Sequence, residues 1–206
     1  MNGTEFIAKI LKAEGIENLT CFPSNPLIEA AAKEGIRTIA FRHERGAVMA
    51  ADGYSRTSQR KQFGVALVQS QAGAENAMGG IAQAYADNIP ILVLPGGISL
   101  NQIGVKPNFS ASQKYQGWVK QVETVLSPNE VGNVMRRSFN ALRNGPPGPV
   151  VVEMTSDVCS LEIPKDSENY CSPRSAKVIP SQNDIRDAVK SLMKAIFLLK
   201  KGITLS

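Results

Sequence analysis

Short apolar segments that alternate with helical segments constrain this chain more than any other feature. The clearest are Phe63–Gln69 and Ile89–Leu94, where apolar residues follow one another without the polar alternation of a half-exposed strand. Strands of this kind are buried on both faces, as parallel strands covered by helices are. The pattern therefore predicts an α/β fold, with a mostly parallel sheet flanked by helices.

The remaining elements continue this alternation. By residue pattern, strands are predicted at Leu19–Phe22, Ile36–Phe41 and Val150–Met154, and helices at Thr4–Glu14, Leu27–Lys33, His43–Ser58, Gly73–Asp87, Pro128–Arg143 and from Asp184 onward. Residues 98–125 look less regular, and the polar residues 156–181, which carry three prolines, predict loop and linker structure. We expect a first domain at 1–160, a linker at 161–181 and the start of a second domain at 182–206.

The composition argues against several functions. Basic residues exceed acidic ones by five but do not alternate with aromatics, so no nucleic-acid partner is expected. Three distant cysteines and one histidine lack the spacing of a zinc site. No apolar run approaches the roughly 18 residues that a membrane span needs. With no recognisable signal peptide, these features predict a reduced, cytoplasmic protein that binds no membrane.

Three turns each follow a predicted strand and precede a predicted helix. They are Pro23–Asn25, Arg42–Glu44 and Ser70–Gly73. Ligands of parallel sheets bind beyond the carboxyl ends of the strands. We therefore expect the three turns to line one cleft.

Glu44 is the candidate catalytic residue of this cleft. A carboxylate in the first turn of a helix gains about 0.3 to 1 kcal/mol from the helix dipole, and this could be its whole role. The residues after it are small, however, and offer few polar partners. A carboxylate shielded from water shares a proton more readily, so Glu44 could exchange one with a ring nitrogen of a cofactor. His43 beside it either faces a substrate or only orients Glu44.

The segment from His43-Glu44 to Ala50-Ala51-Asp52-Gly53-Tyr54-Ser55-Arg56 resembles the "HE…A…GYAR" signature of thiamine diphosphate-dependent enzymes. The chain is most similar to the group that contains acetolactate synthase and benzoylformate decarboxylase. The likeness continues through Gly73-Ala74-Glu75-Asn76 to Gly148-Pro149-Val150 and covers roughly residues 3–160. Taken in this order the motifs are specific, although each one alone is weak.

The resemblance implies that this is the N-terminal, pyrimidine-binding domain of such an enzyme. Glu44 would then hydrogen-bond N1′ of the aminopyrimidine and so activate the cofactor for attack on a 2-oxo acid. Pro23, Ala72, Gly73 and Asn76 match the other cofactor-binding positions. No metal ligand is expected on this chain, because the family binds Mg²⁺ and the diphosphate on a later domain.

Two departures from the family pattern leave the substrate open. The turn usually reads Ser-Gly-Pro-Gly, but here it is Ser70-Gln71-Ala72-Gly73. Phe109-Ser110-Ala111 stands where acetolactate synthase offers a glutamine. The resemblance thus implies a carboligase or a decarboxylase, a transferase or a lyase, without deciding between them.

The Gly-Asp-Gly motif of the diphosphate domain does not occur in the sequence, and the family pattern fades after Lys194. We therefore expect a truncation or frameshift, and a chain that is inactive alone. The full-length enzyme would be a dimer or tetramer with the cofactor between subunits. The alternative is a non-catalytic α/β binding module. A nicotinamide-binding domain is disfavoured, because no Gly-x-Gly-x-x-Gly follows the first strand.

Overall fold

The computed structural model describes residues 1–23, 25–59, 61–176 and 178–200. Within them, one sheet contains all the strands, which run parallel in the order β2-β1-β3-β4-β6-β5. The strands are β1 (Asn18–Cys21), β2 (Arg37–Ala40), β3 (Gly64–Val68), β4 (Ile91–Pro95), β5 (Gln121–Val125) and β6 (Val150–Met154). The predicted α/β fold is confirmed, and the described sheet is parallel throughout.

Helices connect successive strands. They are α1 (Gly3–Ala13), α2 (Leu27–Lys33), α3 (Glu44–Thr57), α4 (Ala72–Ala86), α5 (Ala111–Tyr115), α6 (Val131–Arg143), α7 (Ser156–Ser160) and α8 (Gln182–Lys200). Short 3₁₀ turns lie at Leu100–Gln102, Pro128–Glu130 and Lys165–Ser167. In the part of the chain that the structure describes, every helix is too short or too polar to cross a lipid bilayer.

The sheet is covered on both faces, and alternate residues of each central strand enter different cores. Val65 and Leu67 of β3 join a core built with α1, α2, α6 and α7. Ala66 and Val68 join a second core built with α3, α4 and α5. Every residue of β3, β4 and β6 is buried, as the continuous apolar pattern predicted.

Three described elements were not predicted. Residues 98–125 contain α5 and the edge strand β5, and α7 begins the stretch that was taken for loop and linker. None of the three has a strong apolar repeat. Contacts with distant parts of the chain decide their structure, and sequence periodicity does not reveal such contacts.

The chain divides into two compact units, Met1–Ser175 and Ala176–Ser206. Residues 161–175 belong to the first unit: the Ile163 N–H donates to the Met1 carbonyl, and the Tyr170 hydroxyl donates to Glu14. The second unit contains α8. The domain boundaries at 160 and 182 remain a prediction, and residues 201–206 lie outside the described part.

Candidate functional site

The order of the strands brings the three predicted turns together. The chain moves from β1 to β2 in one direction and then back across β1 to β3. Because such crossovers are right-handed, helices that follow moves in opposite directions cover opposite faces of the sheet. A crevice therefore opens at the carboxyl ends of the strands, where ligands of such sheets bind. The turns after β2, β1 and β3 lie side by side along this edge.

Glu44 is the first residue of α3, and its side chain is buried although it begins a helix. The Asn76 Nδ2 donates a hydrogen bond of 3.2 Å to its Oε2. Asn76 lies in the first half of α4, the helix that follows β3. The structure thus joins two of the predicted cofactor residues directly.

Gly73 lies against the other oxygen of the same carboxylate. A Cβ built on Gly73 would be 2.8 Å from Glu44 Oε1 and 2.5 Å from the Gln69 Cβ. Any side chain at position 73 would push Glu44 or the turn away. The glycine therefore lets the first turn of α4 approach a buried carboxylate closely.

His43 acts as the N-terminal cap of α3. Its Nδ1 accepts a hydrogen bond of 3.2 Å from the Arg45 N–H, so this nitrogen carries no proton in that state. The same atom lies 3.9 Å from Glu44 Oε2, but without a proton it does not form an ion pair with the carboxylate. The ring is more than half exposed, and its observed contact is the cap.

Pro23 and Ala72 make no described contact with the Glu44 carboxylate. Both are exposed, Pro23 in the turn after β1 and Ala72 at the start of α4. Next to Pro23, the buried Asn25 donates from Nδ2 to the Val68 carbonyl at 3.1 Å and to the Leu94 carbonyl at 3.2 Å. Asn25 thus ties the turn after β1 to the ends of β3 and β4, a role that its sequence position did not reveal.

The turn before α4 contains a backbone conformation that side chains rarely adopt. Gln71 has φ +50° and ψ −110°, a combination that glycine adopts far more readily than residues with a side chain. Its side chain does not cap the helix. The residue that departs from the family's glycine therefore occupies the strained position of the turn.

A second buried carboxylate, Glu153 on β6, lies away from Glu44. It accepts hydrogen bonds from the Ala111 N–H at 2.9 Å, the Ser112 N–H at 3.0 Å and the Ser110 hydroxyl. Ser110, which stands where a related enzyme offers a glutamine, is buried and bonded to this carboxylate. In the sequence, only the presence of a glutamate within the otherwise apolar strand Val150–Met154 could have indicated this buried carboxylate.

A cavity of about 160 Å³ lies at the same edge of the sheet, with Asn25, Ser70, Gly96 and Cys159 in its wall. Burial, with a smaller effect of Asp157, raises the pKa of Cys159 to about 12. The thiol therefore stays protonated at neutral pH and is a poor nucleophile. Glu44, by contrast, lies directly against the first turn of α4 at Gly73.

Comparison with known proteins finds one matching family model and several curated relatives. Residues 1–124 match the family model described as "Thiamine pyrophosphate enzyme, N-terminal TPP binding domain". The chain is 29 % identical over 98 % of its length to the acetolactate synthase large subunit of Haemophilus influenzae, covering 36 % of that protein. It is 34 % identical over 84 % of its length to a probable acetolactate synthase large subunit of Methanocaldococcus jannaschii, covering 29 % of it.

A further relative is the acetolactate synthase isozyme 3 large subunit of Escherichia coli, 28 % identical over 98 % of this chain and 36 % of that protein. The chain thus spans about a third of the length of the curated relatives that it matches.

Proposed function

Because this chain belongs to the family of thiamine pyrophosphate enzymes that share this N-terminal binding domain, we propose that its Glu44 binds the aminopyrimidine of thiamine diphosphate. The observation that carries the proposal is the buried Glu44 carboxylate beside a glycine at the carboxyl edge of the sheet. The proposal extends to an acetolactate synthase-like enzyme that acts on 2-oxo acids. The named relatives support that extension.

The residues present fit such a cofactor. A heterocycle whose ring nitrogen shares a proton needs a poorly hydrated carboxylate at short range, and Glu44 is that group. Oε2 accepts the hydrogen bond from Asn76, and the absence of a side chain at Gly73 lets the first turn of α4 lie close to Oε1. When bound, thiamine diphosphate supplies the nucleophilic carbon and the electron sink for 2-oxo acid chemistry.

Each residue of the turn region then has a separate task. Glu44 holds and releases a proton at Oε1, and Asn76 fixes the carboxylate by its bond to Oε2. Gly73 lets the first turn of α4 lie close to the carboxylate, and the exposed Ala72 and Pro23 would contact the cofactor, as their match to the family positions implies. His43 fixes the start of α3 and hence the position of Glu44.

Several finer features belong to the same proposal. Mg²⁺ and the diphosphate would be bound by another domain of the complete enzyme. The cofactor would lie between subunits of a cytoplasmic dimer or tetramer. Whether carboligation or decarboxylation follows is left open, since the turn at Ser70–Gly73 and the segment around Ser110 differ from the family pattern.

Titration calorimetry tests the proposal. The chain is titrated with thiamine diphosphate and Mg²⁺, first alone and then mixed with the complete acetolactate synthase large subunit of Haemophilus influenzae. Binding that exceeds the sum of the separate proteins supports a site completed by a partner. Absence of binding by the chain under both conditions would favour the non-catalytic module.

The catalytic assignment is tested with Glu44→Gln, which keeps the side-chain shape but cannot hold and release the proton. The exchange of the cofactor C2 proton for deuterium, followed by NMR, that the chain adds to the rate of the partner alone is expected to be lost in this variant. Glu29→Gln, an exposed glutamate on α2, is the matched control and should leave exchange unchanged. Equal exchange rates for the two variants would refute the role of Glu44.

A further inference from the structure

Tyr115 is the last residue of α5 and among the largest fully buried side chains. Its hydroxyl donates a hydrogen bond to the Ala74 carbonyl, which lies in the first turn of α4. Burial, with smaller contributions from Glu153 and Glu75, raises the pKa of Tyr115 well above its usual range. The hydroxyl therefore remains a proton donor throughout the physiological pH range.

The short helix that carries Tyr115 is anchored at its other end. Glu153 accepts the N–H groups of Ala111 and Ser112 and the hydroxyl of Ser110, and α5 also contacts α4 and β5. Burying a carboxylate is costly unless donors replace its water, and these three donors do so. α5 is therefore fixed to β6, the strand next to β4.

The first turn of α4 packs on α3 and is joined to it by the Asn76–Glu44 hydrogen bond, but it lacks a side-chain cap. It begins at the strained Gln71. The turn nevertheless carries Gly73, where an added Cβ would be only 2.8 Å from Glu44 Oε1. A small rotation of this turn would therefore change the distance between Gly73 and the Glu44 carboxylate.

We propose that Tyr115 is a positioning residue for the cofactor turn. Its hydroxyl holds the Ala74 carbonyl, and it thereby fixes Gly73 and Asn76 relative to the Glu44 carboxylate. This inference rests on the proposed function of Glu44, because it describes how the same site is kept in shape. The support runs through a continuous series of contacts from Glu153 through α5 and Tyr115 to Ala74.

The test is hydrogen–deuterium exchange of the full chain with Tyr115→Phe, which removes only the hydroxyl. We expect amides in residues 71–78 to exchange roughly fivefold faster, the factor that one lost hydrogen bond of ordinary strength produces. Amides of β3 and β6 should be unchanged. Tyr85, an exposed tyrosine of α4, provides the control: Tyr85→Phe should change the exchange of neither region.

Two outcomes would overturn the inference. Unchanged exchange in residues 71–78 would mean that the hydroxyl does not hold the turn. An equal increase of the exchange rate across the whole sheet would mean that Tyr115 only adds to the overall stability of the fold. Ser110→Ala, which removes one of the three donors to Glu153, gives a second test should Tyr115→Phe fail to fold. It should produce a smaller rise confined to the same residues, and an unchanged rate there would count against the series of contacts.

Cofactor binding separates this inference from the proposed function. In the calorimetric mixture, Tyr115→Phe should weaken the affinity for thiamine diphosphate severalfold, and Tyr85→Phe should not. If the wild-type chain binds no cofactor in any mixture, the function proposed for Glu44 fails, and the exchange data still decide whether Tyr115 holds the turn. If the turn loosens but the affinity is unchanged, the positioning role is refuted while the role of Glu44 stands.

Discussion

The two helical layers that cover the sheet are packed with side chains of different size. The layer of α1, α2, α6 and α7 buries large groups such as Phe6, Leu11 and Phe139. The layer of α3, α4 and α5 buries mainly alanines, such as Ala51 and Ala77, with a few branched residues and the single large ring of Tyr115. Both layers cover one sheet of continuous apolar strands, so the difference lies in the helices.

The difference shows what each layer provides. Burial of large side chains removes more apolar surface from water and supplies more of the free energy of folding. Small residues let backbones approach: a Cβ on Gly80 would be 3.0 Å from the Val48 Cγ1 across the α3–α4 contact. The candidate site lies on the layer of α3, α4 and α5, the small-residue layer. A carboxylate at the start of α3 must reach the first turn of α4 there, and small side chains allow it.

The largest effect on stability is expected in the layer of α1, α2, α6 and α7, the large-residue layer. Phe139 is fully buried, and its ring centroid lies 5.7 Å from that of Phe63. Phe139→Ala should lower the free energy of unfolding by about 3 to 5 kcal/mol, since it loses apolar burial and leaves a cavity. Urea denaturation measures the change. Phe139→Leu, which refills most of the volume, should cost clearly less, and equal losses would mean that the site is not tightly packed.

In the small-residue layer, adding a single methyl group should already lower the free energy of unfolding. A Cβ on Gly64 of β3 would lie 2.1 Å from the Ala51 carbonyl oxygen and 2.5 Å from its Cα, so α3 would have to move. Gly64→Ala should therefore cost about 3 kcal/mol, near the upper end for overpacking. Because α3 carries Glu44, cofactor affinity should fall in the same variant.

Gly53→Ala in α3 is the matched control, since outside the helix's own backbone nothing lies within 4 Å of the added Cβ. Here alanine should raise stability by about 0.5 to 1 kcal/mol, because glycine is unfavourable inside a helix. Urea midpoints of the two variants should thus move in opposite directions. Similar small shifts in both would contradict the close α3–β3 contact.

The same contrast explains what the sequence could and could not predict. β3 and β4 were predicted because burial on both faces leaves a continuous apolar run, which is a local signal. α5 was missed because Ala-Ser-Gln-Lys-Tyr has no apolar repeat; Glu153, more than 40 residues away in sequence, fixes its start. β5 was missed because it is an edge strand of mixed polarity.

The candidate site divides in the same way. Glu44 and its neighbours were predicted because they lie at strand-to-helix turns and match a family pattern. The hydrogen bond between Asn76 and Glu44 and the contact of Tyr115 with Ala74 join elements that only the folded chain brings together. Spacing along the sequence cannot indicate them. Asn25 was recognised as part of a turn, but its bonds to two strand ends could not be.

The smallest expected effect concerns the turn where the small-residue layer meets the site. Gln71 adopts φ +50° and ψ −110°, which costs a residue with a side chain on the order of 1 to 3 kcal/mol. Gln71→Gly relieves this strain, although glycine also gives the unfolded chain more freedom, by about 0.5 to 1 kcal/mol. The net result should be a gain of about 1 kcal/mol in the free energy of unfolding, measured as a higher urea midpoint.

Gln69→Gly separates strain from chain freedom, because Gln69 is exposed, lies two residues earlier and has no positive φ. It should lower the midpoint, since only the entropic cost remains and the contact of its Cβ with the Gly73 region is lost. Opposite shifts of the two variants would place the strain at Gln71 itself. A lower midpoint for both would mean that the side chain of Gln71 stabilises the turn by more than its backbone conformation costs, and the small-residue layer would then hold its site without stored strain.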